Sequence, residues 1–268
     1  MSTLIHDLLP PLARRWHRQR AAGVCRWSGN FSSWAEAAEQ CPGYDQQNIL
    51  EQVKNAALRV RAGDGAFERD AVVFSRPEYS WPLLSVLLHA AGRKEGRLRV
   101  LDFGGSLGST YSQHRRWLEG LPEVRWGVVE QPHFVRCGRL HFETENLRFY
   151  SSIAECLAEG QPDVALLSSV LGYLPEPRRV LDEISASGIS CLLIDRTGFT
   201  HNDRERITIQ KVPSVIYSAS YPCRFFSRTE LARYLAPFYE EVASFPALDQ
   251  PPSFADFLGL VFERRAET

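Results

Sequence analysis

The sequence predicts an α/β fold, in which a mostly parallel seven-stranded sheet is covered by helices on both faces and preceded by a mostly helical N-terminal appendage. Three observations predict it. From Leu98 onward, short apolar runs alternate with helical stretches, the rhythm of a sheet buried on both sides. The first run ends in Asp102 and passes through Gly104, Gly105 and Gly108 into a helical segment. Residues 1–97 show helical periodicity and turn signals without that alternation.

Composition narrows the class. The 268 residues suit one main domain, 98–268, with an appendage over 1–97 and an insertion at about 196–226. With 44% hydrophobic and 24% charged residues the chain is globular, which excludes wholesale disorder and fibrous folds. A net charge of -1 gives no global attraction to nucleic acid. No apolar run reaches the roughly 20 residues that cross a bilayer, and the N-terminus lacks the apolar core of a secretory signal. The expected location is therefore cytoplasmic. Six scattered cysteines without a CxxC pair read as reduced thiols, with no metal site expected.

The elements follow in order. Leu4–Arg20 sets Leu8, Leu9, Leu12 and Trp16 opposite Arg14, Arg15, Arg18 and Arg20, interrupted by Pro10-Pro11. Its basic face is either solvated or makes a weak peripheral contact with anionic lipid. Trp27–Trp34 is turn-rich and leads to a helix over Trp34–Gln40, ended by Cys41-Pro42-Gly43-Tyr44. A helix over Asp45–Arg61 buries Ile49, Leu50, Val53, Ala57, Leu58 and Val60 and stops at Gly63. Trp81–Ala91 is a helix entered at Ser80, with Pro82 in its first turn. Strands are expected at Leu98–Phe103, Arg125–Glu130, Leu147–Tyr150, Val164–Ser168, Cys191–Asp195, Tyr239–Phe245 and Leu258–Glu263. Helices are expected at Ser109–Glu119, Pro132–Phe142, Ile153–Ala158, Glu176–Ser187 and Arg228–Leu235. The segment from Arg196 to Phe226 breaks the alternation, and a stretch of that length is usually functional.

The chemistry centres on Val100–Gly108. Glycines let backbone amides approach a ligand, and a helix N-terminus attracts a ligand carboxylate. A dinucleotide site requires G-x-G-x-x-G directly after the strand, whereas the order here is D-x-G-G-x-x-G. An Asp at the strand end repels a pyrophosphate and suits a ligand bearing an ammonium and a sulfonium, as S-adenosylmethionine does. The cofactor residues on this loop are Asp102, Gly104, Gly105, Ser106 and Gly108. Glu130 closes the second strand 22 positions after Gly108 (130 − 108), where a carboxylate accepts hydrogen bonds from both ribose hydroxyls. Gln131 beside it faces the adenosine.

Ligands of such sheets sit outside the carboxyl ends of strands, where strand order reverses. That adds Ser151, Ser152, Ser168, Ser169 and Leu171. Ser151 or Ser152 either meets the adenine edge or caps the following helix. Methyl transfer is an in-line displacement, and positioning alone supplies about 7–11 kcal/mol. A hydroxyl acceptor is helped by a general base. Candidates follow the fifth strand: Asp195, Arg196, His201 and Asp203. His201 is favoured for its near-neutral titration, against the alternative of an exposed loop histidine. Asp195-Arg196 is alternatively a structural ion pair. Gln210, Tyr217, Tyr221 and Phe225 carry groups that suit a sugar and are expected in an acceptor pocket wall, the competing placement being the core.

These motifs resemble a family of bacterial methyltransferases whose genes often lie among those for cell-surface polysaccharide assembly. The resemblance runs through Gly29-Asn-Phe-Ser-Ser-Trp34, Gly43-Tyr44, Glu68-Arg69-Asp70, Leu101–Ser109, Ser168–Leu171, Ile194–Thr197, Ile207–Pro213 and Ala219–Pro222. It implies a class I methyltransferase fold, a Rossmann-like seven-stranded sheet whose last strand is antiparallel. It also implies a cytoplasmic step in surface polysaccharide or lipopolysaccharide biosynthesis, with a small-molecule, nucleotide-sugar or lipid-linked glycan acceptor. Asp163–Pro177 looks like the fourth strand and loop of small-molecule methyltransferases, which would turn Tyr173 toward the acceptor. The sequence departs from the family at Asp203-Arg-Glu-Arg206, where a tighter Asp-Arg-Ile run is expected, so the placement of Asp203 stays open. Two other classes compete: a fold of this kind that has lost catalysis and serves as a scaffold in glycan assembly, and a nicotinamide-dependent oxidoreductase, against which the glycine order argues.

Overall fold

The structure, a computed structural model, describes residues 25–41, 46–212 and 219–266. The basic stretch Leu4–Arg20, the turn at 42–44 and Tyr217 lie outside these residues. The described residues fall into two compact units, one of 25–41, 46, 207–212 and 219–223, the other of 47–206 and 224–266.

The smaller unit holds a three-stranded sheet in the order β1-β9-β10, where β1 is Arg26–Phe31, β9 Arg206–Val212 and β10 Ala219–Phe225. β1 runs antiparallel to β9, pairing Arg26 with Lys211 and Trp27 with Gln210. A register shift follows between Ser28 and Phe31, around Gly29 at φ +87. Helix α1 (Trp34–Glu39) starts at Ser33, whose hydroxyl accepts the Glu36 N–H at 3.2 Å, and buries Ala37 against Ile207 and Ile209. The turn-rich stretch thus contains a strand. As an edge strand, β1 leaves most of its side chains in water, so it lacks the alternation that marks a half-buried strand.

The larger unit is built on a seven-stranded sheet in the order β11-β12-β8-β7-β4-β5-β6. Its strands are β4 (Arg97–Phe103), β5 (Glu123–Val129), β6 (Leu147–Tyr150), β7 (Val164–Ser168), β8 (Cys191–Thr200), β11 (Tyr239–Pro246) and β12 (Ala255–Arg264). β4 through β8 pair in parallel, and β12 is antiparallel to both β8 and β11. Period-two alternation divides the core. Leu101, Val129, Ala165 and Leu167 pack on one face, while Leu98, Val100, Trp126, Val128 and Leu166 pack on the other. The chain passes from β4 to β5 and β6 on one side, then crosses back to β7 on the other. Strand order therefore reverses beside β4.

Helices α2 (Gln46–Arg61), α3 (Trp81–Gly92), α4 (Ser109–Leu118), α5 (Pro132–His141), α6 (Ile153–Ala158), α7 (Pro177–Ala186) and α8 (Arg228–Leu235) occupy the expected places. On α2 the deeply buried positions are Ile49, Val53 and Ala56 rather than Ala57. The compact units do not divide at residue 97. Leu83, Leu84, Leu87 and Ala91 of α3 share the core of Leu98 and Val100, which binds this part of the expected appendage to the sheet.

Two further departures concern strands. β2 (Phe67–Arg69) and β3 (Val72–Phe74) form a hairpin, turned by Asp70 at φ +53 and Ala71 at φ +66. Two left-handed residues make the mirror-image turn that matches strand twist; with Ala71 where glycine is usual, the signal was weak. β8 also runs past Asp195 to Thr200, paired with β12 down to Ala255, so the insertion opens with a strand. No helix among the described residues is long and apolar enough to cross a membrane.

The packing of α3 is directly testable. Leu87 is fully buried and Leu88 is 38% exposed. Leu87→Ala is expected to lower stability by about 2–5 kcal/mol, and Leu88→Ala by less than about 1. Urea unfolding of the two variants checks this, and comparable losses would contradict the assigned face.

Candidate functional site

The site is assembled at the carboxyl ends of β4, β5 and β7 and the middle of β8, beginning with Asp102. Register places Asp102 beyond Val100, the partner of Trp126, so alternation turns the Asp102 and Trp126 side chains to the same face. The Trp126 indole N–H donates to Asp102 Oδ2 at 2.9 Å. Asp102 is 1% exposed, and its Oδ1 has no hydrogen-bond partner. Burial raises its carboxyl to about 7, and Glu130 adds to the rise against the lowering effect of Trp126.

The glycine loop is shaped around this carboxyl. A Cβ on Gly105 would stand 2.4 Å from Asp102 Cγ, and one on Gly104, at φ +73, 2.4 Å from Val170 Cγ2. Both glycines are required by close approach within the protein itself. Asp102 therefore lies under the loop and holds it. Ser106, at φ +56, donates its N–H to Glu130 Oε1 at 3.2 Å, and the Gln131 N–H donates to Glu130 Oε2 at 2.8 Å. Glu130 thus clamps the loop to the end of β5. Desolvation raises its carboxyl, offset by those two amides. The Gln131 side chain is exposed. Gly108, at φ +83, is the residue from which α4 starts.

Several expected residues have other duties. The Ser152 hydroxyl accepts the Glu155 N–H at 3.1 Å, and Glu155 Oε2 accepts the Ser151 N–H at 2.9 Å, a reciprocal cap for α6. Leu171 is fully buried in the core and does not line the crevice, because the turn after β7 folds it inward. Ser168 Oγ donates to Asp195 Oδ2 at 3.2 Å, and the Ser169 N–H bonds the Asp195 carbonyl at 3.0 Å. Asp195 is 3% exposed, and burial raises it to about 6 against the pull of Arg196. The Arg196 backbone N–H favours the ionised form of Asp195, but its guanidinium is engaged elsewhere. It grips Asp249 with two nitrogens at 2.7 and 3.0 Å and Asp70 at 2.8 Å.

His201 is carried away from the strand ends. It follows Thr200, the last residue of β8, six positions beyond Asp195, and is half-exposed, with Nε2 3.3 Å from Asp256 Oδ2. The exposed-histidine alternative is the one realised, because β8 does not end at Asp195. Asp203 accepts from Ser227 Oγ at 2.8 Å and the Thr229 N–H at 3.1 Å, bracing the start of α8. Tyr221 lies in β10 and Gln210 in β9, within the smaller unit. Phe225 is fully buried, packed on Phe254 at 4.9 Å, so that aromatic is core.

The structure adds residues the sequence reading left out. Glu68, on β2, is 5% exposed and accepts the Ser109 hydroxyl through Oε1, while Asp70 reaches Arg196 from the same hairpin. Their pairings join segments far apart in the chain, so only the motif Glu68-Arg69-Asp70 hinted at them. A separate cavity of about 660 Å³ includes Arg99, Arg125, Arg139 and Arg148 in its lining. Each has a glutamate within 3.9 Å, and the cavity includes none of the loop residues.

The sheet order, the antiparallel penultimate strand and the glycine loop at the point of reversal define the fold of the class I S-adenosylmethionine-dependent methyltransferases. No protein-family model matches the chain, and no curated protein sequence does. Solved structures do. The N-terminal domain of EvdMO1 with S-adenosylhomocysteine bound is 15% identical, with 83% of this chain and 98% of that one covered and a TM-score of 0.51. The same domain in the presence of S-adenosylhomocysteine and D-fucose gives 0.50 at the same identity and coverage. A SAM-dependent methyltransferase from Methanosarcina mazei is 13% identical over 70% of this chain and 99% of its own, with a TM-score of 0.50.

The buried acids make a pH prediction. In the folded, ligand-free protein Asp102 keeps its proton to about 7, against an ordinary value of 3.8. Its protonated form therefore contributes stability that is present below the unfolded value and is lost as pH rises through about 7. Asp102→Asn keeps a partner for Trp126 and removes this titration. Relative to the unaltered protein, the variant is expected to gain stability between about pH 5 and about pH 8. Urea midpoints at both pH values check it, and a constant difference would refute the assignment.

Proposed function

We propose that this chain is an S-adenosylmethionine-dependent methyltransferase. The observation that carries the reading is the loop from Gly104 to Gly108, bent over Asp102 and tied by the Ser106 N–H to Glu130 where strand order reverses. This arrangement fits the cofactor chemically. Each Glu130 oxygen accepts one backbone N–H and keeps a lone pair for a ribose hydroxyl. The desolvated carboxyls of Asp102 and Glu130 favour a cation such as a sulfonium. The loop backbone and Glu130 would hold the nucleoside and Ser168 and Ser169 would flank the methionine part. When bound, the cofactor supplies an electrophilic methyl group, and this chain's task is to orient it and exclude water.

The acceptor is a small molecule or glycan, carried as a nucleotide sugar or on a lipid, and the reaction is O-methylation in surface polysaccharide or lipopolysaccharide biosynthesis in the cytoplasm. The resemblance of the motifs supports this, as does the fold neighbour studied in the presence of D-fucose.

Calorimetric titration with S-adenosylhomocysteine tests the cofactor reading, followed by transfer of labelled methyl groups to a panel of nucleotide sugars and lipid-linked glycans. Glu130→Gln is expected to weaken S-adenosylhomocysteine by about tenfold or more, since one oxygen becomes a donor facing a donor. An unchanged dissociation constant would remove Glu130 from the site. Binding without transfer to any of the panel would count for a scaffold.

A further inference from the structure

Glu68 poses a problem that the cofactor loop and its clamp leave unsolved. Its carboxylate is 5% exposed; Oε1 accepts the Ser109 hydroxyl, but no donor among the described residues bonds Oε2. Native proteins rarely leave a buried carboxylate oxygen unpaired. The neighbouring charges are already engaged. Arg69 is 3.3 Å from Glu78 and lies over the rings of Phe67 and Phe74, and Asp70 is held by Arg196. Burial raises the Glu68 carboxyl to about 7, against the Ser109 hydroxyl and a backbone contact with Ala71 that favour the ionised form, and the Ala71 amide is too poorly placed to count as a partner of Oε2. Of the two carboxylates in Glu68-Arg69-Asp70, Asp70 is 62% exposed and Glu68 is the one with a buried oxygen left unpaired.

Its position says what would complete it. Ser109 is the first residue of α4 and directly follows Gly108, so the carboxylate stands where the glycine loop enters the helix. A helix N-terminus in this setting was expected to receive the ligand's carboxylate. Glu68 supplies a carboxylate there from the protein itself, which offsets the positive end of the helix and repels a second one. The group that fits against Oε2 is a hydrogen-bond donor with positive charge.

We infer that the hairpin β2–β3 contributes a binding residue to the cofactor site: the Glu68 carboxylate accepts a hydrogen bond from the ammonium of the cofactor's methionine portion. The inference rests on the cofactor reading above and names a contact within that site. Asp70 and Arg196 have a positioning part, since their ion pair holds the hairpin to the middle of β8.

The test uses S-adenosylhomocysteine and its analogue with hydrogen in place of the amino group, titrated calorimetrically into the full chain. The unaltered protein is expected to prefer the parent by about tenfold to a hundredfold, the range of one charge-assisted hydrogen bond. Glu68→Gln, which keeps an acceptor for Ser109, is expected to lose that preference by weakening the parent while leaving the analogue unchanged. Equal affinities of the unaltered protein for both compounds would overturn the inference even if the variant failed to fold. So would equal weakening of both compounds in Glu68→Gln, which would mean that Glu68 acts only by holding the loop. Binding of neither compound to the unaltered protein would overturn the cofactor reading itself, and this inference with it.

Discussion

A carboxyl group taken out of water at the end of a strand needs a donor beside it and clearance above it, and Asp102 imposes both conditions on its surroundings. Trp126 meets the first with its indole N–H. Gly105 meets the second, because any side chain there would occupy the space of the carboxyl. With the loop lowered onto Asp102, the Ser106 amide comes within reach of Glu130, and the end of β5 is tied to the turn after β4. The shape of the site thus follows from how one acid is buried.

Strain accompanies this geometry. Ser106, Ser169 and Arg196 are non-glycine residues at positive φ, following β4, following β7 and within β8 respectively. Left-handed conformations of this kind cost about 1–3 kcal/mol each and persist where the surroundings over-determine them. Here they are held by the clamp on Glu130, by the Ser169 amide on the Asp195 carbonyl, and by the paired aspartates on Arg196. The parallel strand pairs keep unbroken register, whereas the antiparallel pairs of β12 shift between Leu258 and Leu260 and between Glu241 and Ala243. Desolvation raises the carboxyls of Asp102, Glu130 and Asp195, and a cation beside them would lower them again.

Local pattern made most of the sheet legible. β6 and β7 coincide with the expected ranges, and β4, β5 and β11 differ only at their ends, because apolar runs and the turns between them are encoded within a few residues. The loop from Asp102 to Gly108 and the acid at Glu130 were legible for the same reason. Less so were their duties. Asp102 takes the Trp126 indole N–H, and Leu171 is core. Each depends on which face a turn presents, and composition does not encode that. β1 and the hairpin β2–β3 escaped notice because one is an edge strand with a partner near residue 210 and the other turns through Asp70-Ala71 without a glycine.

The chain's own sequence thus determined the class of fold, the order of its main elements and the location of the glycine loop, since hydrophobic period and glycine placement act locally. Only the tertiary structure decided that β8 outruns Asp195 and carries His201 away, that Arg196 serves Asp70 and Asp249, and that Glu68 arrives beside Ser109. Those outcomes are set by pairings between distant segments, and a hydrogen bond or ion pair across such a separation leaves no periodic trace in the residues that make it.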